Sequence, residues 1–301
     1  MAPMQTLALA SIYLIWGSTF LAVRYVLEAF PPLAMSGARF ALAGLLLLLY
    51  VRKPATLKQW RSALIMGTLL LSTGTGLVAW AEQTVSSGQA ALVNATTPIW
   101  IALWSFYRRG YPGHATVAGI VLASLGLLSL MQDPGSFNLG TMAILIASIS
   151  WTAATLLSPH LDKPASSVQF SGMTMLLAGA VLTTLSVLTQ ESMNGPITFS
   201  AVAAWLYLVF AGSLVGMTAY TWLLRHSSAG LVATHTYVNP VVAVALSALV
   251  GEALPQTAGL AILLIIAGVI LLTLKTNLNS RVFPSYIPLV GHPKRYSEGL
   301  A

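Results

Sequence analysis

The chain has 301 residues, of which 7% are charged and 56% hydrophobic, with a mean hydropathy of +0.81. A soluble domain carries about 25% charge, so most of this chain faces lipid or other buried helices. The absence of cysteine excludes disulfides, thiolate metal sites and cysteine nucleophiles. The net charge of +7 is not arranged as a nucleic-acid-binding motif with aromatic interleaving, and membrane orientation accounts for it better.

A bilayer core of about 30 Å takes roughly 20 apolar helical residues. Ten segments meet that length: 5–24, 33–51, 62–82, 87–107, 113–131, 138–157, 168–188, 201–224, 229–250 and 256–274. The first has no cationic n-region and no cleavage motif, so it reads as a retained helix. Backbone groups in lipid must be satisfied within each span, which predicts an all-α integral membrane protein. With the N-terminus inside, Arg52, Lys53, Lys58, Arg61, Arg108, Arg109, Lys163, Arg225 and the basic residues of the tail all face the cytoplasm. Only Arg24 falls outside, while Arg39 lies within segment 2. The Lys/Arg asymmetry places both termini in the cytoplasm and predicts a multi-pass protein of the plasma (inner) membrane. Glu28, Asp133, Glu191 and Glu252 fall on the outer side.

The pattern occurs twice. Ser86-Ser87-Gly88-Gln89 leads through Asn94 to Thr97-Pro98, and Ser227-Ser228-Ala229-Gly230 leads through His235 to Asn239-Pro240. Ser86 and Ser227 are 141 positions apart, and the two prolines 142. Five spans per repeat is an odd number, so the second half must enter the membrane inverted. The expected units are 1–137, 138–275 and a tail, 276–301, with no helical period. A Pro-interrupted segment at matching places in two halves is a pointer to a transport site.

Trp16-Gly17-Ser18-Thr19-Phe20, Pro31-Pro32 and Ala38-Arg39-Phe40 resemble the opening of an EamA-type member of the drug/metabolite transporter superfamily. Ala147-Ser148-Ile149-Ser150-Trp151 is similar to the matching signature of a second half, and the Thr97-Pro98 and Asn239-Pro240 helices fit the same order. So do Ala118-Gly119 and Ala258-Gly259, with Gly126 and Gly268 downstream. The resemblance covers residues 5–275. It implies a ten-helix carrier with a central cavity and a small-molecule substrate, amino acids among the candidates. Small multidrug-resistance relatives use a Glu in the first helix, and segment 1 has no acid. Sugar-phosphate relatives use buried Lys and Arg, and Arg39 alone lies well inside a span. Proton-exchanged organic cations and phosphorylated substrates are thereby disfavoured.

Segment 4 puts Asn94 and Thr97 on one face beside Pro98, and segment 9 puts His235 and Asn239 beside Pro240. Each proline frees the carbonyl four residues before it. The nearby amide and hydroxyl side chains can bind a substrate or patch the break, and cavity lining is the expected role. Segment 1 aligns Tyr13, Trp16, Gly17 and Phe20, and segment 6 aligns Ser148, Trp151, Thr152 and Thr155. Segment 3 offers Ser72, Gly76 and Trp80, and segment 8 offers Tyr220. This aromatic wall suits a small amphipathic solute, against the alternatives of a packed core or an interfacial belt. Glu82, ending segment 3, is expected to be an interfacial carboxylate beside water, with titration or attraction of a substrate amine as the alternative, and Arg39 to snorkel or pair with Glu82 or a carbonyl, with substrate binding as the alternative. His235 is expected to be a neutral hydrogen-bonding group. Segments 5 and 10 read as peripheral scaffold.

The leading expectation is a secondary carrier moving neutral or aromatic amino acids outward by alternating access. Proton-coupled drug or metabolite efflux is the second reading, and a membrane-embedded enzyme the third. No ATP-binding loop, metal cluster, catalytic constellation or cofactor motif is present in the sequence. The expected partners are a small-molecule substrate and the lipid bilayer, without nucleic acid, as a monomer or homodimer.

Overall fold

A computed structural model describes residues 3–109, 114–130, 138–227, 231–232, 235–252, 254 and 256–278. The described residues are helical apart from short connections. In chain order the helices are α1 (Pro3–Leu27), α2 (Pro32–Val51), α3 (Leu57–Ala81), α4 (Ser87–Asn94), α5 (Thr97–Arg109) and α6 (His114–Leu130). There follow α7 (Leu139–Leu157), α8 (Ser167–Leu188), α9 (Phe199–His226), α10 (His235–Leu249) and α11 (Ala258–Leu278). Six of them, α1, α2, α3, α7, α8 and α9, are long and apolar enough to cross a membrane. Shorter apolar helices occupy 117–129, 238–249 and 258–268. Segment 4 is not one rod but two helices, α4 and α5. Asp133, the start of segment 9 and the tail from 279 lie outside the described residues.

Local chemistry sets the starts. Thr56, Ser86, Asn138, Ser166 and Thr198 each accept a hydrogen bond from the backbone N–H three residues on, opening α3, α4, α7, α8 and α9. Thr56 and Gln59 complete a reciprocal capping box. Two acids cap helices across the fold. Glu191 accepts from the Leu33 and Ala34 amides at 3.1 and 2.9 Å at the start of α2. Glu252 accepts from the Ser87 amide at 3.0 Å at the start of α4.

The packing is reciprocal between residues 3–130 and 138–278. The most extensive contacts join α2 to α8 and α6 to α11. α1 packs on α9 and α10, and α7 on α3, α4 and α5. The third helix of each half carries a stretch of widened π turns, Gly67–Thr73 in α3 and Leu208–Met217 in α9. These stretches fall about one repeat apart, so the duplication reaches the hydrogen-bonding pattern of the backbone. Each π stretch is held by the first helix of the other half. Trp16 Nε1 in α1 donates to Gly212 O at 3.2 Å, and Ser150 Oγ in α7 donates to Leu69 O at 2.8 Å.

Small residues set the closest approaches, as expected where lipid gives no hydrophobic drive between helices. A Cβ on Gly44 would stand 2.4 Å from Leu176 N, and one on Gly179 2.4 Å from Ala41 N. On α11, a Cβ on Gly268 would meet Ala123 N and Gly119 O of α6 at 2.6 Å. Because the obstruction is backbone, no rotamer change relieves it. Gly44→Leu should therefore force α2 off α8 and cost about 1–3 kcal/mol or more. Gly259→Ala, with nothing within 4 Å of its Cβ, should leave stability unchanged. Melting curves of the two purified variants check this, and equal melting temperatures would contradict the glycine contact.

Candidate functional site: a central cavity at the helix breaks

Between α1, α2, α3, α4, α7, α9 and α10 lies a narrow cavity of about 100 Å³. It gathers the irregular backbone of the molecule. The turn between α4 and α5, the end of the α3 π stretch, the α9 π stretch and Pro240 all border it. Non-helical backbone at membrane depth is tolerated where it lines such a space.

The two prolines act differently. α4 ends at Asn94 and α5 begins at Thr97, so Pro98 occupies the second position of a new helix, where a missing N–H costs least. The carbonyl it would have engaged, Asn94 O, accepts from Thr97 Oγ1 at 2.8 Å. Thr96 Oγ1 likewise donates to Val93 O at 2.7 Å. Asn94 Oδ1 accepts from Ser148 Oγ of α7 at 3.2 Å. Pro240 instead lies within α10. With the Asn239 amide turned to satisfy its surroundings, its nitrogen donates to His235 O and Tyr13 O at 3.1 Å and to Ile12 O at 3.3 Å. Asn239 thus ties the proline helix to α1.

Trp16 is the hub of the aromatic wall. Its ring lies 5.7 Å from Trp151, edge to face, 5.1 Å from Tyr220 and 5.4 Å from His235. His235 Nδ1 is 2.7 Å from Val232 O. The indole seats against bare backbone, since a Cβ on Gly216 would fall within 2.3 Å of Trp16 Nε1.

Of the residues singled out from the sequence, Trp16, Phe20, Arg39, Glu82, Asn94 and Thr97 line the cavity, as do Trp151, His235, Asn239 and Pro240. The others do not. Ser72 Oγ donates to Ala178 O at 3.4 Å between α3 and α8, and Gly76 abuts Leu182. Trp80 is 37% exposed and borders a surface depression with Pro31, Pro32 and Glu191. Tyr13 packs at the α1 side of the core and offers the cavity no side chain, only a carbonyl to Asn239. Thr155 Oγ1 bonds its own helix at Trp151 O and approaches the Tyr220 hydroxyl at 3.5 Å. Tyr220 is fully buried behind the wall, and Pro98 is not among the residues lining the space that Thr97 borders.

Two expectations about charge are overturned. Glu82 is 1% exposed rather than interfacial, and neither carboxylate oxygen accepts a hydrogen bond. Arg24 and Glu252, themselves 3.9 Å apart, both act electrostatically on it. Arg39 neither snorkels nor pairs with Glu82. It is 5% exposed, its Nε donates to Ser213 Oγ at 2.8 Å, and its guanidinium lies 4.6 Å from the Phe40 ring centre. Sequence reasoning missed Thr19, Phe40, Gly74, Thr75 and Thr236 on the wall. Thr236 was within reach, being the residue whose carbonyl Pro240 frees.

A profile of the EamA-like transporter family matches residues 4–132 and, a second time, residues 138–274. The chain belongs to the EamA-like transporter family. Among its relatives is the uncharacterized inner membrane transporter YedA of Escherichia coli (strain K12), 36% identical over 276 residues, which are 89% of this chain and 90% of that protein. The uncharacterized transporter YoaV of Bacillus subtilis (strain 168) is 24% identical over 79% of this chain and 85% of its own length. A solved crystal structure 20% identical to the chain superposes with a TM-score of 0.65, covering 91% of this chain and 98% of that one. That likeness speaks for the fold. Family and relatives together make this EamA protein a multi-pass transporter of the plasma (inner) membrane, with the bilayer and a small-molecule substrate as its partners.

If the Trp16 seat depends on the missing Cβ, Gly216→Ala should lower the melting temperature, at a cost of about 1–3 kcal/mol. Trp16→Phe in the same molecule should recover part of the loss, because the smaller ring leaves room for the methyl. A double-mutant cycle decides it, and strictly additive effects would rule out the contact.

Proposed function

We propose that this EamA transporter is a secondary carrier that exports small amphipathic metabolites, neutral and aromatic amino acids foremost, by alternating access. In this reading it has ten membrane helices in two inverted halves, 1–137 and 138–275, with both termini cytoplasmic. The observation that carries the reading is the central cavity, whose wall combines irregular or proline-bearing helix from both halves with an indole-rich surface and a few hydroxyl and amide groups. Such a wall desolvates an apolar side chain while offering directed hydrogen bonds to a polar head. The reciprocal contacts of α1 with α9 and α10, and of α7 with α3, α4 and α5, give each half an equivalent hold on the other. A rocking carrier needs two such near-equivalent arrangements.

The buried carboxylate of Glu82 favours a second reading, proton-coupled efflux of a drug or metabolite. An intramembrane acid beside the substrate space is where such coupling would reside.

Purified protein in liposomes should show saturable counterflow of radiolabelled phenylalanine or leucine. Asn94→Ala should lower the rate by about tenfold with the fold retained, because it removes a cavity-facing amide while Thr97 still satisfies the Asn94 carbonyl. Flux that an imposed pH gradient accelerates would move the assignment to the proton-coupled reading, and absence of counterflow for every amino acid tried would overturn the substrate class. The cysteine-free chain also permits a direct check of sidedness. A thiol at Lys53→Cys should react only from the cytoplasm and one at Ser192→Cys only from outside, and any other result refutes the topology.

A further inference from the structure

Two groups of opposite charge on the cavity wall have no ion partner. Glu82 is buried with both carboxylate oxygens free of hydrogen bonds. Arg39, equally on the wall, spends its Nε on Ser213 Oγ. Among the described residues the one ion pair joins Arg24 to Glu252. Glu252 is further held by Ser87 Oγ at 2.6 Å and Ser247 Oγ at 2.5 Å. Arg24 is therefore engaged outside the cavity, and its charge acts on Glu82 only alongside the opposing charge of Glu252.

A buried charge without a partner is costly, and two in one apolar, aromatic-walled space are more so. A bound solute offsets both costs when it brings a cation to Glu82 and an anion to Arg39. A simple amine would leave the guanidinium unanswered, and a simple carboxylate would leave Glu82 so. We infer that Glu82 and Arg39 are the two poles of a zwitterion site, Glu82 receiving the substrate's ammonium group and Arg39 its carboxylate. The inference rests on the carrier reading and narrows it. The substrate is recognised by the ammonium and carboxylate of an amino acid, while Trp16 and Trp151 meet its apolar side chain with little demand on shape.

The site predicts discrimination by head group. In calorimetric titrations of the purified protein, phenylalanine should bind about tenfold or more tightly than either 3-phenylpropionate, which lacks the ammonium, or phenethylamine, which lacks the carboxylate. Glu82→Gln should bring phenylalanine and 3-phenylpropionate to nearly equal affinity. Arg39→Gln should equalise phenylalanine and phenethylamine, and Arg39→Lys, which keeps the charge if the Ser213 bond is needed for folding, should retain most of the discrimination. Wild-type protein that binds all three compounds alike, or a Glu82→Gln variant that weakens all three equally, overturns the zwitterion site and leaves the carrier reading standing. Wild-type protein that binds neither phenylalanine nor leucine overturns the amino-acid reading itself.

Discussion

The constraint on which the rest of this structure depends is that a backbone carbonyl or amide in lipid must find a partner within the protein. Continuous helices meet it automatically, and every interruption has to be answered locally. The interruptions here converge on one central space, and side chains answer them one by one. Thr97 takes the carbonyl that Pro98 abandons, Asn239 bonds across to α1 beside Pro240, and Trp16 and Ser150 reach the π stretches. The cavity exists where the helices could not remain regular. Glycine-mediated contact of α2 with α8 and of α6 with α11 lies on the flanks and contributes no residue to the cavity wall. Rigid packing and irregular backbone are thus separated in space.

Much of this was legible in the sequence because lipid enforces simple rules. Length and hydropathy placed the helices to within a few residues, and Ser and Thr caps marked several of their starts. The 141-residue echo located the break before Pro98 and the proline carried inside α10 at Pro240. What the sequence misled about was angular position. Ser72, Gly76 and Trp80 share a stripe only if α3 is α-helical throughout. The π turns at Gly67–Thr73 alter the angle advanced per residue, so Gly74, Thr75 and Val78 face the cavity while Trp80 turns outward. In α1 and α7, which hold regular α geometry, Trp16 and Trp151 do reach the wall.

The charges were misjudged for a different reason. Position along a span is a good guide to depth, and depth places Glu82 near an interface. Burial, however, depends on what the neighbouring chain does above that depth. Glu82 opens the five-residue connection to α4, and Arg24 and Glu252 act on it from two other elements. No one-dimensional reading contains Glu252, since it arrives from the other half of the chain, where it also caps α4.

The duplication supplies the frame, and departures from it supply the chemistry. Corresponding helices make corresponding contacts, yet the wall is unequal. α2 contributes Arg39 and Phe40, while its counterpart α8 contributes nothing. The first half brings both charges and a helix that stops before its proline. The second brings an imidazole, an amide and a proline carried inside a helix. A duplicated frame with identical walls would present the same groups twice and would suit a symmetric solute. With one acid and one base in the first half and neutral donors and acceptors in the second, the space has a polar end and a direction. That is the form a site takes when it must orient an asymmetric small molecule rather than merely enclose one.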